Sequence, residues 1–123
     1  MLIKYDFCGD NNIVNIPETM YWKISFAMLD ENGRDDYNLY LHIGNEKITI
    51  RDTDFWSMGR DLPYEEVGYM YEEMVDIIAA KIEQEPNLKI IDISAIESTL
   101  INEKYEKRWI EKGYIEPDAD GSW

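Results

Sequence analysis

The sequence is poor in the residues that build many familiar sites: it contains one cysteine, one histidine and only 12 lysines and arginines. Cys8 has no partner for an internal disulfide, and one Cys with one His cannot supply the four nitrogen or sulfur ligands of a structural zinc site. The 7 glycines are dispersed, and no phosphate-binding glycine motif is present. We therefore expect neither a metal nor a cofactor.

Long apolar runs are also missing. No stretch approaches the roughly 20 apolar residues that a membrane-spanning helix requires. The N-terminal segment, MLIKYDFCGD, lacks the basic region and the apolar run of a signal peptide. We therefore expect no membrane partner and a cytoplasmic location.

Acidic residues, by contrast, are abundant. The 123 residues include 26 Asp and Glu against 12 Lys and Arg, which gives a formal net charge of -14. Such a charge repels phosphate backbones, so we do not expect direct nucleic-acid binding. Hydrophobic residues make up 45% of the chain, including 4 Trp, 9 Tyr and 3 Phe, and this content is too high for a disordered acidic segment. The composition predicts a folded acidic protein.

The first half of the chain alternates apolar and polar residues with a period of two, which is typical of strands with one buried face. An Asn-Gly pair at 32–33 favours a tight reversal between the third and fourth of these segments. These segments are 2–7, 13–16, 21–29, 37–43 and 47–51; the first is predicted as a strand, the second is only a short apolar stretch, and the last three are predicted as sequential antiparallel strands.

In the second half the apolar period changes to about 3.6, which predicts a helix over 61–81. Asp61 is the candidate N-cap, Pro63 lies in the predicted first turn, and the helix is expected to end before Pro86. A short β-branched run over 88–93 predicts one more strand. The predicted order in this half of the chain is therefore helix, strand, helix.

A second helix is predicted over 95–112. Ser94 and Glu97 have the spacing of a capping box, and Gly113 stands at the position that commonly ends a helix. The predicted fold class is α+β, with an antiparallel sheet of about four to five strands packed by two helices in the order ββββαβα. We expect one α+β domain over 1–113 and a loose acidic tail over 114–123.

Catalytic chemistry has little support in the sequence. His42 lies on the outward side of a predicted central strand, and no nucleophile or orienting partner is evident near it. Asp52 and Asp54, beside Phe55 and Trp56, are the most pocket-like carboxylates. A hydrolase that uses Asp52 or Asp54 with His42 is one alternative, but the leading expectation is a protein that is not an enzyme and has no catalytic residues.

The first predicted helix carries the informative pattern. Over 61–80 it has six acidic residues and no base, so the carboxylates are expected to be unneutralised. At about 100° per residue, Glu65, Glu72 and Asp76 lie within roughly 40° of one another, with Tyr69 in the same stripe. Glu66 and Glu73 lie about 80° to the side. One face of this helix is therefore predicted to be core and the other to be carboxylate.

Aromatic side chains outside the predicted core rows are candidates for contact with a partner, because Tyr and Trp often anchor interfaces. Trp22 and Trp109 are assigned instead to packing. The contact candidates are Tyr37, Tyr40, Trp56, Tyr64, Tyr69 and Trp123.

These patterns favour a small acidic inhibitor that binds a basic protein surface, with the nucleic-acid groove of a nuclease or defence effector as the expected target. Phage anti-restriction and anti-CRISPR proteins are of this functional type. Toxin-neutralising immunity proteins and homo-oligomeric assembly subunits are the alternatives, and a homo-oligomer stays open. The predicted partner-binding residues are Glu65, Glu66, Tyr69, Glu72, Glu73 and Asp76.

Overall fold

The structure is a computed structural model that describes residues 1–7, 9–29, 35–52 and 62–114, and it confirms the α+β class. In these ranges no helix combines the length and the apolar character needed to cross a membrane. The elements are β1 (Leu2–Phe7), β2 (Asp10–Asn15), β3 (Trp22–Leu29), β4 (Asp35–Ile43), β5 (Glu46–Asp52), α1 (Tyr64–Gln84), β6 (Ile90–Asp92), α2 (Ile93–Leu100), a π-helical turn (Ile101–Tyr105) and α3 (Glu106–Glu111).

The six strands form two sheets of three. In the first sheet, with strand order β2-β1-β6, β1 pairs antiparallel with β2 and parallel with β6. The second sheet, β3-β4-β5, is an antiparallel meander. The alternation in the sequence located the strands but could not show that the last strand joins β1, because period-two patterning carries no information about pairing partners.

Helix α1 packs on one face of the second sheet, where aromatic side chains of the sheet lie against the backbone of Gly68. A Cβ atom at this position would lie 2.5 Å from Cδ2 of Tyr37, so the approach requires glycine. The Tyr37 ring also packs edge-on against Phe26, with 5.7 Å between ring centroids. Tyr37 is therefore half-buried between β3 and α1, on the side of the sheet that faces the helix.

A single hydrophobic core draws on both sheets and on the helices. Trp109 is fully buried and Trp22 packs against the core, which confirms that both have packing roles. Of the predicted tail, Tyr114 packs against the same core, and 115–123 lie outside the described residues.

The start of α1 differs from the predicted one. The helix begins at Tyr64, and Pro63 occupies the N-cap position without a side-chain hydrogen bond. Asp61, the predicted cap, lies outside the described residues. Proline suits this boundary because its fixed φ is compatible with the extended conformation found there.

The predicted capping box of the second helix is not formed. Asp92 is the N-cap of α2, and its carboxylate accepts a hydrogen bond from the backbone N–H of Ala95. The Ser94 hydroxyl instead accepts from the N–H of Asp6 at 2.9 Å, and the Glu97 carboxylate binds Arg51. Both side chains of the predicted capping box therefore make tertiary contacts and do not cap the helix.

The region predicted as one helix over 95–112 is helical but not regular. The π-helical turn Ile101–Tyr105 lies between α2 and α3. Gly113 ends the segment as predicted, with a φ of 79°. Its N–H donates to the carbonyl of Ile110, and the N–H of Tyr114 donates to that of Trp109.

Candidate functional site

An exposed row of mainly acidic side chains runs along α1 on the side away from the core. Its members recur at intervals of three, four or seven residues, as one face of a helix requires. With a rise of about 1.5 Å per residue, the row extends over roughly 27 Å. We define the acidic row as Glu65, Tyr69, Glu72, Asp76 and Glu83, all exposed.

The acidic row owes its orientation to the opposite side of the helix. Val67, Met70, Tyr71 and Met74 are each at most 1% exposed, so their burial fixes the rotation of α1 about its axis. Tyr71 packs against Phe26 of β3, with 6.2 Å between ring centroids. The row therefore points to solvent because the core leaves α1 no alternative orientation.

Glu66 occupies a different environment from that expected. It is 3% exposed, and its Oε2 and Oε1 atoms accept hydrogen bonds from Nε of Arg108 at 3.0 and 3.1 Å. Lys112 Nζ lies 3.8 Å from Oε1. The expectation that the Glu66 carboxylate is unneutralised is wrong, because Arg108 of α3 and Lys112, directly after α3, lie beside it.

Glu73 is also neutralised within the chain. Its Oε1 atom accepts hydrogen bonds from Lys104 Nζ at 2.7 Å and from the Tyr105 hydroxyl at 2.8 Å. Burial opposes ionisation of Glu73, but these two hydrogen bonds outweigh it and lower the pKa of the carboxyl. Glu66 and Glu73 therefore join helices, and they are not available to a partner without loss of these bonds.

Glu65, Glu72 and Asp76 retain the predicted exposure. In the part of the chain that the structure describes, the ion pairs involve other acids, and none includes these three residues. The predicted stripe is therefore present as an exposed acidic surface. Glu66 and Glu73, which flank it, are paired within the chain and do not add to its free charge.

Tyr69, in the acidic row, contacts Arg108, which Glu66 holds in place. The Tyr69 side chain is 52% exposed, and the guanidinium carbon of Arg108 lies 5.9 Å from its ring centroid. Because the buried Glu66 fixes Arg108, the pair also restrains one side of the Tyr69 ring. Glu66 thus supports the candidate site without belonging to its surface.

The other aromatic candidates are not part of this surface in the described residues. Tyr40 lies half-buried on the second sheet, where Lys47 Nζ is 4.5 Å above its ring, and Tyr37 is half-buried against Phe26. The remaining candidates, Trp56, Trp123 and the side chain of Tyr64, lie outside the described residues.

His42 has a partner that sequence reasoning missed. Its Nε2 atom lies 2.7 Å from Oγ of Ser25 on the adjacent strand. Burial and the charges of Lys23 and Lys47 lower the pKa of His42. The strand register could have identified this contact, because Ser25 of β3 and His42 of β4 lie on the outward side of the sheet in neighbouring cross-strand pairs.

The hydrolase alternative is not assembled by the described residues. Asp54 and the side chain of Asp52 lie outside them, and no described side chain bonds to Nδ1 of His42. Within the same ranges, no three His, Cys, Asp or Glu side chains come together as a metal site. The pairing of His42 with either aspartate therefore stays a prediction.

Two adjoining cavities lie beside the first sheet, away from the predicted site residues. Their volumes are about 510 and 580 Å³, and both are lined by Lys4, Asp92 and Ala95. None of the predicted partner-binding residues lines either cavity. The acidic row is a convex helix surface, a shape that suits a macromolecular partner more than a small ligand.

The chain matches no protein-family model, no curated protein and no solved structure.

Proposed function

We propose that this protein is a non-enzymatic inhibitor that binds the basic surface of another protein through the acidic row of α1. The observation that carries the proposal is the selective exposure of acids along this helix. Glu66 and Glu73 are paired with the chain's own bases, whereas Glu65, Glu72 and Asp76 face solvent around Tyr69. The exposed carboxylates repel one another, and a cationic partner would relieve this repulsion.

The target class is a nucleic-acid-binding enzyme, such as a nuclease or a defence effector. Glu72 and Asp76 are one helical turn apart, about 6 Å along the axis, which is comparable with the spacing of phosphates along a strand. Tyr69 supplies a flat hydrogen-bonding surface beside them, as a base would. The row therefore offers a positively charged groove a substitute for its nucleic acid.

The net charge of -14 adds long-range attraction to this local match. Complementary charge accelerates encounter between two proteins, and dissolved salt screens it over about 8 to 10 Å at physiological ionic strength. We therefore expect fast association that weakens as the salt concentration rises.

The test compares wild-type protein with a triple variant, Glu65→Lys/Glu72→Lys/Asp76→Lys. A matched control, Glu18→Lys/Glu103→Lys/Glu111→Lys, changes the net charge equally at exposed positions outside the row. Each protein is immobilised to capture ligands from the native host, and each captured protein is then purified and its dissociation constant is measured for all three forms. Duplex DNA and RNA are added as competitors.

The proposal expects a nucleic-acid-binding ligand whose affinity falls at least about tenfold, or 1.4 kcal/mol, in the row variant but not in the control. Competition by duplex and a loss of affinity at high salt should accompany it. Equal loss in both variants would show that only net charge matters, and unchanged affinity would remove the row from the interface. A salt-insensitive dimer with no such ligand would favour the assembly-subunit alternative.

A further inference from the structure

A row of basic side chains crosses the second sheet on its outer face. Register places Lys23 of β3 opposite His42 of β4, and His42 opposite Lys47 of β5. Adjacent strands are about 4.8 Å apart, so the two lysine backbones flank His42 at roughly 10 Å from each other. We call Lys23, His42 and Lys47 the basic triad.

The arrangement disfavours a charged His42. A protonated imidazole would lie directly opposite a lysine on each side, and like charges in such cross-strand pairs are destabilising; burial, the larger effect, and both lysines accordingly lower the pKa of His42. Most described bases have an acid partner, namely Lys4, Arg51, Lys81, Lys104, Arg108 and Lys112. No ion pair among the described residues includes Lys23 or Lys47.

Neutral hydrogen-bonding groups surround the basic triad. The Ser25 hydroxyl contacts His42 Nε2 at 2.7 Å, and the Tyr40 hydroxyl accepts from Asn38 Nδ2 at 3.1 Å. Because that bond uses Tyr40 as an acceptor, its own hydroxyl proton remains available for donation. Lys47 Nζ lies over the Tyr40 ring, beside His42. Donors of several kinds therefore lie on neighbouring positions of one face of the sheet.

We propose that the basic triad, with the hydroxyl of Ser25, binds the phosphate group of a small phosphate monoester. Two ammonium groups, an imidazole and a hydroxyl match the several acceptor oxygens of a tetrahedral dianion. A small ligand suits the site better than a polyanion, because the remainder of this acidic molecule repels an extended phosphate backbone.

Protonation of His42 couples directly to such binding. When neutral His42 carries its proton on Nδ1, the Ser25 hydroxyl donates to Nε2. In the imidazolium form Nε2 donates to Oγ instead, and the hydroxyl proton of Ser25 is then free to donate to a bound anion. The charged groups that face His42 are Lys23 on one strand and Lys47 on the other. A bound phosphate would offset both lysines and favour the imidazolium.

The single histidine makes the test unambiguous, because its ring protons give one set of NMR signals. The pKa of His42 is measured with and without inorganic phosphate, at ionic strength matched with sodium chloride. We expect phosphate to raise this pKa by about 0.5 or more in the wild-type protein. The rise should disappear in Lys23→Gln/Lys47→Gln and be reduced in Ser25→Ala.

The matched control is Lys89→Gln/Lys107→Gln, which removes the same charge from two exposed lysines outside the triad, and it should keep the full response. Adenosine monophosphate and phosphoserine are titrated in the same way. The compound that saturates the shift in the pKa of His42 at the lower concentration indicates whether the ligand is a nucleotide or a phospho-amino acid. An equal response to chloride, or an equal loss in the control, would overturn the proposal. If the pKa of His42 rose with protein concentration in the absence of phosphate, the triad would be contacting acidic residues of a second copy of the chain, and this result would also overturn the proposal.

Discussion

At the scale of single residues, the scarce bases of this chain are directed to its most buried acids. Glu66 and Glu97 are 3% and 5% exposed, and each binds an arginine from a distant element. Burial of an unpaired carboxylate would cost several kcal/mol, so these positions have the greatest need for a counter-charge. The exposed acids are solvated by water, and consequently the negative charge is concentrated at the surface.

The pair between Arg51 and Glu97 should therefore be critical for stability. Its two hydrogen bonds, at 2.9 and 2.7 Å, join β5 to α2. We expect Glu97→Gln to lower the free energy of unfolding by about 3 kcal/mol, because it removes the charged acceptor of two hydrogen bonds from the buried Arg51. Urea denaturation measures the difference.

The double variant Arg51→Met/Glu97→Leu is the control, since it removes both charges together. It should recover most of the loss, because an apolar pair needs no mutual neutralisation. If the double variant were as unstable as Glu97→Gln, the cost would come from packing and not from an isolated charge.

The sequence predicted only part of the site at this scale. The exposure of Glu65, Glu72 and Asp76 follows from helical geometry, which is local. The pairing of Glu66 with Arg108 joins residues 42 positions apart, and that contact depends on how α3 packs. Local periodicity carries no information about such a distance, so neither the internal pairing of Glu66 and Glu73 nor the place of Glu83 in the row was predicted.

At the scale of elements, the π-helical turn explains an unusual spacing. Ile93, Glu97, Ile101, Tyr105 and Trp109 are all buried and recur at intervals of four. In a regular helix each such step overshoots a full turn by about 40°, and four steps would carry Trp109 away from the core. The wider turn at Ile101–Tyr105 absorbs one extra residue and returns the row to the core.

Deletion of the exposed Asn102 should therefore be tolerated. Without that residue the turn can become α-helical, and the two following aromatic residues, Tyr105 and Trp109, keep their orientation toward the core. We expect the protein to remain folded, with a loss of at most about 2 kcal/mol. Thermal unfolding and the dispersion of the amide NMR spectrum check this result.

Deletion of the exposed Glu72 from α1 is the matched control. That helix has no wide turn to absorb the change, so Met74 and Ile78 would rotate by about 100° out of the core. We expect this variant to unfold. Equal disruption by both deletions would show that the turn is required for reasons other than register.

The elements themselves were largely predictable. β1 is found at the predicted residues, and the meander β3-β4-β5 follows the predicted strands closely. β2 begins at Asp10, earlier than predicted, because Gly9 turns the chain with a φ of 85°. The start of α2 was missed because Asp92 and Ser94 are both competent caps, and the contact of Ser94 with β1 decides between them.

At the scale of the whole molecule, unbalanced charge opposes stability. The free protein carries its net charge of -14 without a bound cation partner, and like charges at i and i+4 destabilise a helix by up to about 0.5 kcal/mol. Glu72 and Asp76 form such a pair on the acidic row. A surface shaped for a cationic partner should therefore be less stable than a neutral one.

We expect Asp76→Lys to raise the free energy of unfolding by about 0.5 to 1 kcal/mol, because it converts repulsion from Glu72 into attraction. The gain should shrink as sodium chloride is added, since salt screens exposed charges. Urea denaturation at low and high salt measures both effects.

Glu18→Lys is the control, because it makes the same change of charge at an exposed position outside the helices. It should give a smaller gain. If both variants gained equally, the total charge would set the stability and the row would have no special role.

The acidic row and the basic triad face away from each other. Phe26 contacts α1, whereas Lys23, an odd number of positions away on the same strand, points to the opposite side of the sheet. Charges of opposite sign therefore lie on opposite sides of the second sheet, and the field of a cationic surface would favour encounters in which α1 faces it. An anion bound by the basic triad would then face away from the partner on α1, so both surfaces could be occupied at the same time.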